Sequence, residues 1–376
     1  MFSSHFNDVL VALEKTAVAR DRQGGHAAAE KALLRDAGLL RLAIPGEHGG
    51  DALSWPDIYR HVRALAAVDS ALAHVLAFHQ LQVATVLIYG SRQQQRLWLR
   101  RTIDENGWWG NALNPRDTRL QALPRSSELA GGYVLDGLKG FCSGTRGSHY
   151  LTVSASVAGH AQPVLGLLET ASPGIAVKDD WNPMGQRQTD SGSVQFNRVQ
   201  LPASAVMRDE NAEVTAFHTL RNCLAQLVLV NLFVGVAQGA RRQARDHARE
   251  HGRPWLGSAV ERATDDPYLL RRMGEMQAQI SGASLMADHG DAEVVGKAVR
   301  ADDRPVLLHR PAVALEVADQ AILGLVMQHP RQRGARQRPR CAAGSADHQP
   351  QHGVPPVAHR HRVAFGEQVV DAGGHH

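Results

Sequence analysis

The stretch that decides the fold runs from residue 106 to residue 148 and contains NGWWGNALNPRDTRL (106–120) and GGYVLDGLKGFCSGTRGS (131–148). Two small polar turns, one at Gly110 and Asn111 and one at 142–144, interrupt strand-like patterns within it. Glycine in a strand often marks a close approach of backbone to a ligand. Both turns are therefore candidates for binding the edge of a flat aromatic ligand through their main-chain amides. Either turn taken alone could also be an ordinary hairpin turn.

A third polar segment, DDWNPMGQRQTDSG (179–192), favours the ligand interpretation. It is followed by the alternating apolar residues Val194, Phe196, Val199 and Leu201. Similar alternation after residues 132 and 150 predicts a half-buried antiparallel sheet or barrel.

Helical patterns lie on both sides of the strands. Residues 4–104 repeat apolar side chains at helical spacing, and a new helix is predicted to start at Trp55 and Pro56. The helical period returns near Asp209 and predicts an apolar helix buried in a bundle. The order helix, sheet, helix predicts an α+β protein with an N-terminal helical domain (1–104), a central β-domain (105–212) and the start of a C-terminal helical bundle (213–290).

The composition argues against several classes of function. The 376-residue chain has a net charge of +4 without a clustered basic helix, so nucleic-acid binding is not expected. Its three widely spaced cysteines fit a reducing, cytoplasmic setting. The N-terminus reads as an amphipathic helix and not as a signal peptide, and the longest apolar run, 224–237, is expected to be too short to span a membrane. No spacing indicates a metal site, and the lack of GxGxxG and P-loop patterns argues against a bound nicotinamide dinucleotide.

The chain changes character after about residue 290. Lys297 is the last lysine and Phe365 is the only aromatic residue after Tyr268, while arginine, histidine, proline and glutamine become frequent. Such a composition cannot bury enough apolar surface to offset chain entropy. One interpretation is a shift of the coding frame between about residues 281 and 300, which would make 291–376 an aberrant tail. The other is a divergent or disordered tail used for binding.

The three polar segments resemble the middle β-domain of the acyl-CoA dehydrogenase superfamily, and most closely its oxygen-using flavin branch, the dibenzothiophene and related sulfur-compound monooxygenases. The resemblance rests on WWGNA, GLKGFCSGTRGS and DDWNPMGQRQTDSGS, extends through ALAHVLAFHQ and RPWLGSAVERATDDPYLLRRMGE, and covers about residues 15–285. It implies an N-terminal helical domain, a central antiparallel β-barrel domain and a C-terminal helical bundle. That bundle is incomplete here, because the Phe-Trp-Arg-Asn and Arg-Thr-His-x-x-x-His-Asp elements of the family do not occur in the chain.

The resemblance implies a flavin-dependent monooxygenase that uses O2 and reduced FMN, or FAD, to oxygenate a small organosulfur or related heteroatom compound through a C4a-hydroperoxyflavin. It also implies a separate flavin reductase and a homodimer or homotetramer. The first alternative is an acyl-CoA dehydrogenase, although the TEPxAGSD turn typical of dehydrogenases is replaced by NALNPRDT. The second alternative is a truncated or frameshifted chain without catalytic activity.

The resemblance implies His79, Asn111 and Ser143 as catalytic residues. His79 lies on an apolar helix face, so the residue pattern alone predicts a core histidine. The segment AHVLAFH, however, resembles the family helix whose histidine faces the flavin. Asn111 and Ser143 are implied to present amide and hydroxyl donors to the N5 and C4a side of the flavin.

The remaining implied contacts are with the cofactor, and each has a structural alternative. Trp109 is implied to form a hydrophobic wall but is equally typical of a core, and the 187–191 loop is implied to cover the ring but could tie a β-corner. Arg249 and Arg253 are implied to bind the flavin phosphate across a dimer interface, or form a solvated helix end. The residues implied to bind the cofactor are Trp109, Asn111, Cys142, Ser143, Trp181, Arg187, Thr189, Ser191, Arg249 and Arg253.

Overall fold

The computed structural model describes residues 4–125 and 131–299. Within them, five α-helices precede the first strand: α1 (Ser4–Gln23), α2 (Ala28–Asp36), α3 (Trp55–Ala66), α4 (Ser70–Tyr89) and α5 (Arg92–Asp104). Helix α3 begins where the sequence predicts, because the Ser54 side chain accepts a hydrogen bond from the Asp57 N–H (3.3 Å) and Pro56 lies in the first turn. The helical N-terminal part of the predicted fold is confirmed.

Eight strands follow in the described part of the chain and form two four-stranded sheets. They are β1 (Trp109–Ala112), β2 (Gln121–Pro124), β3 (Gly132–Lys139), β4 (Tyr150–Ala155), β5 (Val164–Glu169), β6 (Ile175–Val177), β7 (Val194–Pro202) and β8 (Val206–Arg208). The strand orders are β1-β4-β5-β8 and β2-β3-β7-β6. One isolated bridge, between Gln121 and Ser156, links the sheets, and the described strands do not form a closed barrel.

Neighbouring strands are antiparallel, as predicted, except for the parallel pair β1 and β4. A parallel pair needs a long crossover connection, and here the chain passes through β2 and β3 of the other sheet before it returns as β4. The parallel register places Asn111 beside Thr152.

Two apolar cores hold the strands and helices together. The inner faces of the two sheets share one core, to which Leu151 contributes from the first sheet and Phe196 from the second. The other core joins the N-terminal helices to α6 (Ala216–Glu250), where Leu72 of α4 belongs to the same cluster as Leu224 and Val228. Each fully buried leucine contributes about 1.5–3 kcal/mol relative to an exposed one, so α6 stabilises helices that precede it by more than 120 positions.

Helix α7 (Pro267–Val299) is attached to α3 and α6 by buried polar groups. Arg63 Nε donates to Asn231 Oδ1 (2.9 Å), and Asn231 Nδ2 donates to Asp291 Oδ1 (3.1 Å). Burial raises the pKa of Asp291 to about 7. The predicted domain boundaries stay predictions, and the predicted tail, 291–376, lies outside the described residues from residue 300 onward.

Two described helices are long and apolar enough to cross a membrane by length and composition alone. They are α4 and the part of α6 from Phe217 to Glu250, which corrects the expectation that no apolar run reaches that length. The most apolar window is 78% buried in α4 and 50% buried in α6. Their apolar composition is accounted for by the core that they form with the other helices.

Candidate active site

Only one of the two predicted glycine turns is a turn: Gly110 and Asn111 lie inside β1, and this part of β1 contacts the turn at 142–144. The Asn111 N–H donates to the Ser143 carbonyl (3.1 Å), which joins the end of β1 to the turn at 142–144. A Cβ atom on Gly110 would lie 2.7 Å from the Thr145 Cα, so this approach of two backbones requires glycine at position 110. The structure therefore brings together the two glycine-containing segments that the sequence singles out, one as part of β1 and the other as a turn.

A continuous chain of hydrogen bonds runs from a histidine through three hydroxyl groups to a carbonyl. The distances are 3.0 Å from His74 Nε2 to Ser143 Oγ, 2.8 Å from Ser143 Oγ to Ser191 Oγ, 2.8 Å from Ser191 Oγ to Thr189 Oγ1, and 3.0 Å from Thr189 Oγ1 to the Gln186 carbonyl. A carbonyl only accepts, so we assign every hydroxyl proton towards Gln186, and His74 donates from Nε2. The hydroxyl chain (His74, Ser143, Ser191 and Thr189) is polarised, with the imidazole at its donor end.

His74 is neutral near pH 7. Burial lowers its pKa to about 4, and its ring stacks on that of Phe78 with 4.2 Å between the centroids and 3° between the planes. Since Nε2 carries the proton, Nδ1 is an acceptor. The sequence interpretation missed this residue, although it lies in the AHVLAFH segment.

His79, the predicted catalytic histidine, lies in the core. Its Nε2 donates to the Leu40 carbonyl (2.8 Å), its Nδ1 accepts from the Trp109 N–H (3.1 Å), and its side chain is fully buried. No hydrogen bond joins it to Ser143 among the residues that the structure describes. This geometry favours the core-histidine alternative. His74 is five residues away and therefore about 140° around the helix, on the side that faces the turns.

An open groove of about 650 Å³ borders the hydroxyl chain and shares Ser191 with it. Phe141 and Trp181 stand edge to face in its lining, with 5.9 Å between ring centroids. Trp181 Nε1 donates to the Gln186 carbonyl (2.9 Å), the same acceptor that ends the hydroxyl chain. The predicted Trp181 and Ser191 are therefore both groove residues.

The ionisable groups of the groove differ in their pairing. Arg119 binds Asp117 through Nη2 (2.7 Å) and holds the pKa of that carboxyl well below its usual range. Burial opposes ionisation of Asp180, yet hydrogen bonds from Ser193 keep the pKa of its carboxyl below the usual value. The Arg116 guanidinium is exposed and makes no hydrogen bond or ion pair with the described part of the chain.

Trp109, Cys142 and Arg187 are three of the predicted cofactor-binding residues that lie outside the hydroxyl chain. Trp109 is 1% exposed and belongs to an apolar core. The Cys142 thiol donates to the Lys139 carbonyl (3.2 Å), and burial raises its pKa to about 12. Arg187 Nη2 donates to Asn182 Oδ1 (2.8 Å). The geometry of Trp109 and Cys142 favours the core alternative for these two residues.

Arg249 and Arg253 are separate from the hydroxyl chain. Arg249 lies in the last turn of α6 and Arg253 in the loop that follows, and both are exposed. Over residues 4–125 and 131–299, no hydrogen bond or ion pair joins either arginine to the groove. Their phosphate-binding role across an interface stays a prediction.

Two basic side chains, His26 and Lys31, form hydrogen bonds with the loops of the site. The sequence interpretation missed both of them. Lys31 Nζ donates to the carbonyls of Arg146 (2.6 Å) and Gly144 (3.2 Å), and burial lowers its pKa to about 8. His26 Nδ1 is hydrogen-bonded to the Asp190 carboxylate. These partners lie more than 100 positions apart in the sequence, so no local pattern indicates them.

The donors of the site fit a flavin. Asn111 is 7% exposed, and its Nδ2 has no partner within the described ranges. A neutral amide donor beside an aromatic groove suits a flat heteroaromatic ring that carries nitrogen and carbonyl acceptors along its edge. A Cβ atom on Gly144 would lie 3.4 Å from Val75, which leaves little room for a side chain in this turn.

Comparison with known proteins defines the class of this architecture. The family model for the acyl-CoA dehydrogenase N-terminal domain matches residues 11–106. The structure is similar to that of the methanesulfinate monooxygenase MsuC from Pseudomonas fluorescens, with a TM-score of 0.78, 34% identity, and coverage of 87% of this chain and 83% of that one. The fold is therefore that of the acyl-CoA dehydrogenases.

Two sequence relatives indicate the branch of the acyl-CoA dehydrogenase superfamily to which the chain belongs. The chain is 39% identical to the probable FMNH2-dependent monooxygenase SfnC of Pseudomonas putida, over 73% of this chain and 69% of the relative. It is 36% identical to a dibenzothiophene monooxygenase of Rhodococcus erythropolis, over 82% of this chain and 78% of the relative. The chain belongs to the flavin-dependent monooxygenase branch of the acyl-CoA dehydrogenase superfamily.

Proposed function

We propose that the protein is an FMN-dependent monooxygenase that transfers one oxygen atom of O2 to a small organosulfur compound. The observation that carries this proposal is the neutral, polarised hydroxyl chain, which runs from His74 through Ser143 and borders the groove at Ser191. The relatives named above, which include an FMNH2-dependent enzyme and enzymes of methanesulfinate and dibenzothiophene, support FMN and sulfur compounds.

Reduced FMN, when bound, supplies the two electrons that allow one oxygen atom to reach the substrate and the other to leave as water. The protein contributes one free neutral donor, Asn111 Nδ2, while the protons of the Ser143 and Ser191 hydroxyl groups are used within the hydroxyl chain. The Asn111, Ser143 and Ser191 side chains are nearly buried, and hydrogen bonds are stronger where water is excluded. Phe141 and Trp181 form an aromatic wall on one side of the groove.

The charges of the groove favour this chemistry over that of an acyl-CoA dehydrogenase, which needs a carboxylate base. The groove carboxylates in the described part of the chain are Asp117 and Asp180, and both have pKa values below the usual range because hydrogen bonds stabilise their ionised forms. A carboxylate stabilised in this way is a weak base.

The remaining assignments are part of the same proposal. A separate reductase supplies reduced FMN, since the sequence has no GxGxxG motif for a nicotinamide dinucleotide. The protein acts in the cytoplasm, in agreement with free thiols at Cys142 and Cys223. It assembles as a homodimer or homotetramer. Residues Arg249 and Arg253 bind the FMN phosphate of a neighbouring subunit.

The test is to mix the protein with photoreduced FMN, 18O2 and either methanesulfinate or dibenzothiophene, and to follow the product by mass spectrometry. We expect incorporation of one 18O atom per product molecule, and a decrease of about 100-fold in the rate for Ser143→Ala. Ser154→Ala is the matched control, because Ser154 is buried in β4 and its hydroxyl has no partner in the described structure.

Two results would contradict the proposal. Bleaching of bound flavin by an acyl-CoA thioester without oxygen would identify a dehydrogenase. Hydrogen peroxide as the sole product with every sulfur compound would support the alternative of a catalytically inactive chain.

A further inference from the structure

We infer that Gln82 is a positioning residue that fixes the orientation of the Asn111 side-chain amide, so that Nδ2 is the end left free to donate. The inference rests on the proposed function, because it assigns the donor beside the groove that we propose for FMN. Gln82 itself lies on α4, is hydrogen-bonded to Asn111 and acts on FMN only through that residue.

The geometry comprises three hydrogen bonds around one buried amide. Gln82 Nε2 donates to the Phe78 carbonyl (3.1 Å) and to Asn111 Oδ1 (3.4 Å), and Thr152 Oγ1 donates to Gln82 Oε1 (2.5 Å). The side chains of Gln82 and Thr152 are fully buried. Water therefore has no access to the Gln82 amide, and its orientation is set by protein groups alone.

The orientation follows from the Phe78 carbonyl. A backbone carbonyl only accepts, so the end of Gln82 that faces it must be the nitrogen. The oxygen then faces Thr152, whose hydroxyl supplies the proton. The second proton of the same nitrogen is directed at Asn111, which must present its oxygen.

The consequence for the site is a fixed donor. With Oδ1 held by Gln82, Asn111 directs Nδ2 away from α4, and Nδ2 has no partner in residues 4–125 and 131–299. A rotated amide would place an oxygen there and would repel the carbonyl and nitrogen acceptors of a flavin edge. Gln82 thus decides whether Asn111 attracts or repels the cofactor.

The experiment is a double-mutant cycle on binding of oxidised FMN by the full-length protein, measured by quenching of FMN fluorescence. The variants are Gln82→Leu, Asn111→Ala and the two combined. The matched control is Gln80→Leu, because Gln80 is also a fully buried glutamine of α4 but is hydrogen-bonded to Ala43 N–H and to the Leu39 carbonyl. Gln82→Met tests the same loss if Gln82→Leu does not fold.

We expect Gln82→Leu to raise the dissociation constant of FMN about tenfold, and Gln80→Leu to leave it unchanged although both variants lower the melting temperature. The double variant should bind FMN no more weakly than Asn111→Ala alone, since Gln82 acts through Asn111. Equal effects of the Gln82 and Gln80 changes, or additive effects in the double variant, would overturn the inference while the wild type still binds FMN. A wild type that does not bind FMN overturns the proposed function itself, and the inference with it.

Discussion

Arg116 is the groove residue whose surroundings indicate the anionic part of a ligand. Its guanidinium is exposed and unpaired in the described structure, whereas that of Arg119 is held by Asp117. A free guanidinium binds phosphate through charge-assisted hydrogen bonds. We expect Arg116→Ala to raise the dissociation constant of FMN about tenfold and to leave that of riboflavin, which has no phosphate, unchanged. Isothermal titration with both flavins measures this difference.

Arg92→Ala is the control, because Arg92 is an exposed arginine at the start of α5 and does not line the groove. If Arg116→Ala weakened the binding of FMN and riboflavin equally, Arg116 would not bind the phosphate. The same titration on Arg253→Ala tests the interface role proposed for that residue.

His79 on helix α4 makes the free energy of unfolding depend on pH. Burial lowers the pKa of His79 to about 4, so between about pH 4 and pH 6.5 the unfolded chain binds a proton at this residue that the folded chain does not. The contribution of His79 to the free energy of unfolding is therefore complete above about pH 6.5. It decreases by about 3 kcal/mol in total as the pH falls to about 4. We expect His79→Gln to unfold in less urea at pH 7 but to lose less stability between pH 7 and pH 5 than the wild type.

His5→Gln removes an exposed histidine of α1 and serves as the control for the number of histidines. If His79→Gln kept the full pH dependence of the wild type, His79 would not be buried in its neutral form. His74 contributes in the same direction, since burial lowers its pKa to about 4 as well, so the slope should shrink and not vanish.

At the scale of the molecule, large apolar side chains stay exposed on the last two described helices. Phe233 is 48% exposed on α6 and Leu285 is 70% exposed on α7. Large exposed apolar side chains promote association. We expect the purified chain to sediment as a dimer or larger species, and Phe233→Glu with Leu285→Glu to shift it towards the monomer. Sedimentation velocity at two concentrations measures the change.

Val11→Glu with Val18→Glu, exposed apolar positions on α1, is the control for added charge. A monomeric wild type would contradict association through Phe233 and Leu285. Recovery only in aggregates or with chaperones would instead support the alternative of an inactive chain, and a monodisperse tetramer that retains flavin would exclude it.

The sequence by itself determined the order of helices and strands, the start of α3 and the turn at 142–144, because these depend on local periodicity and backbone conformation. It also singled out Asn111 and Ser143 beside glycines, while the family resemblance added Ser191. It did not determine which face of each element meets which neighbour. Only the tertiary structure showed that His74, and not His79, contacts Ser143, although the two share one helix about 140° apart.

The sequence also did not determine how the strands pair, or which distant residues, such as Lys31 and Gln82, contact the site. Alternation of apolar residues does not specify that β1 pairs in parallel with β4, yet that register places Thr152 beside Asn111. Lys31 and Gln82 contact the site through partners distant in sequence, and contacts of that kind leave no periodic signal. Side-chain hydrogen bonds are chosen by packing in three dimensions, and this is why the chemistry of the site emerged only from the fold.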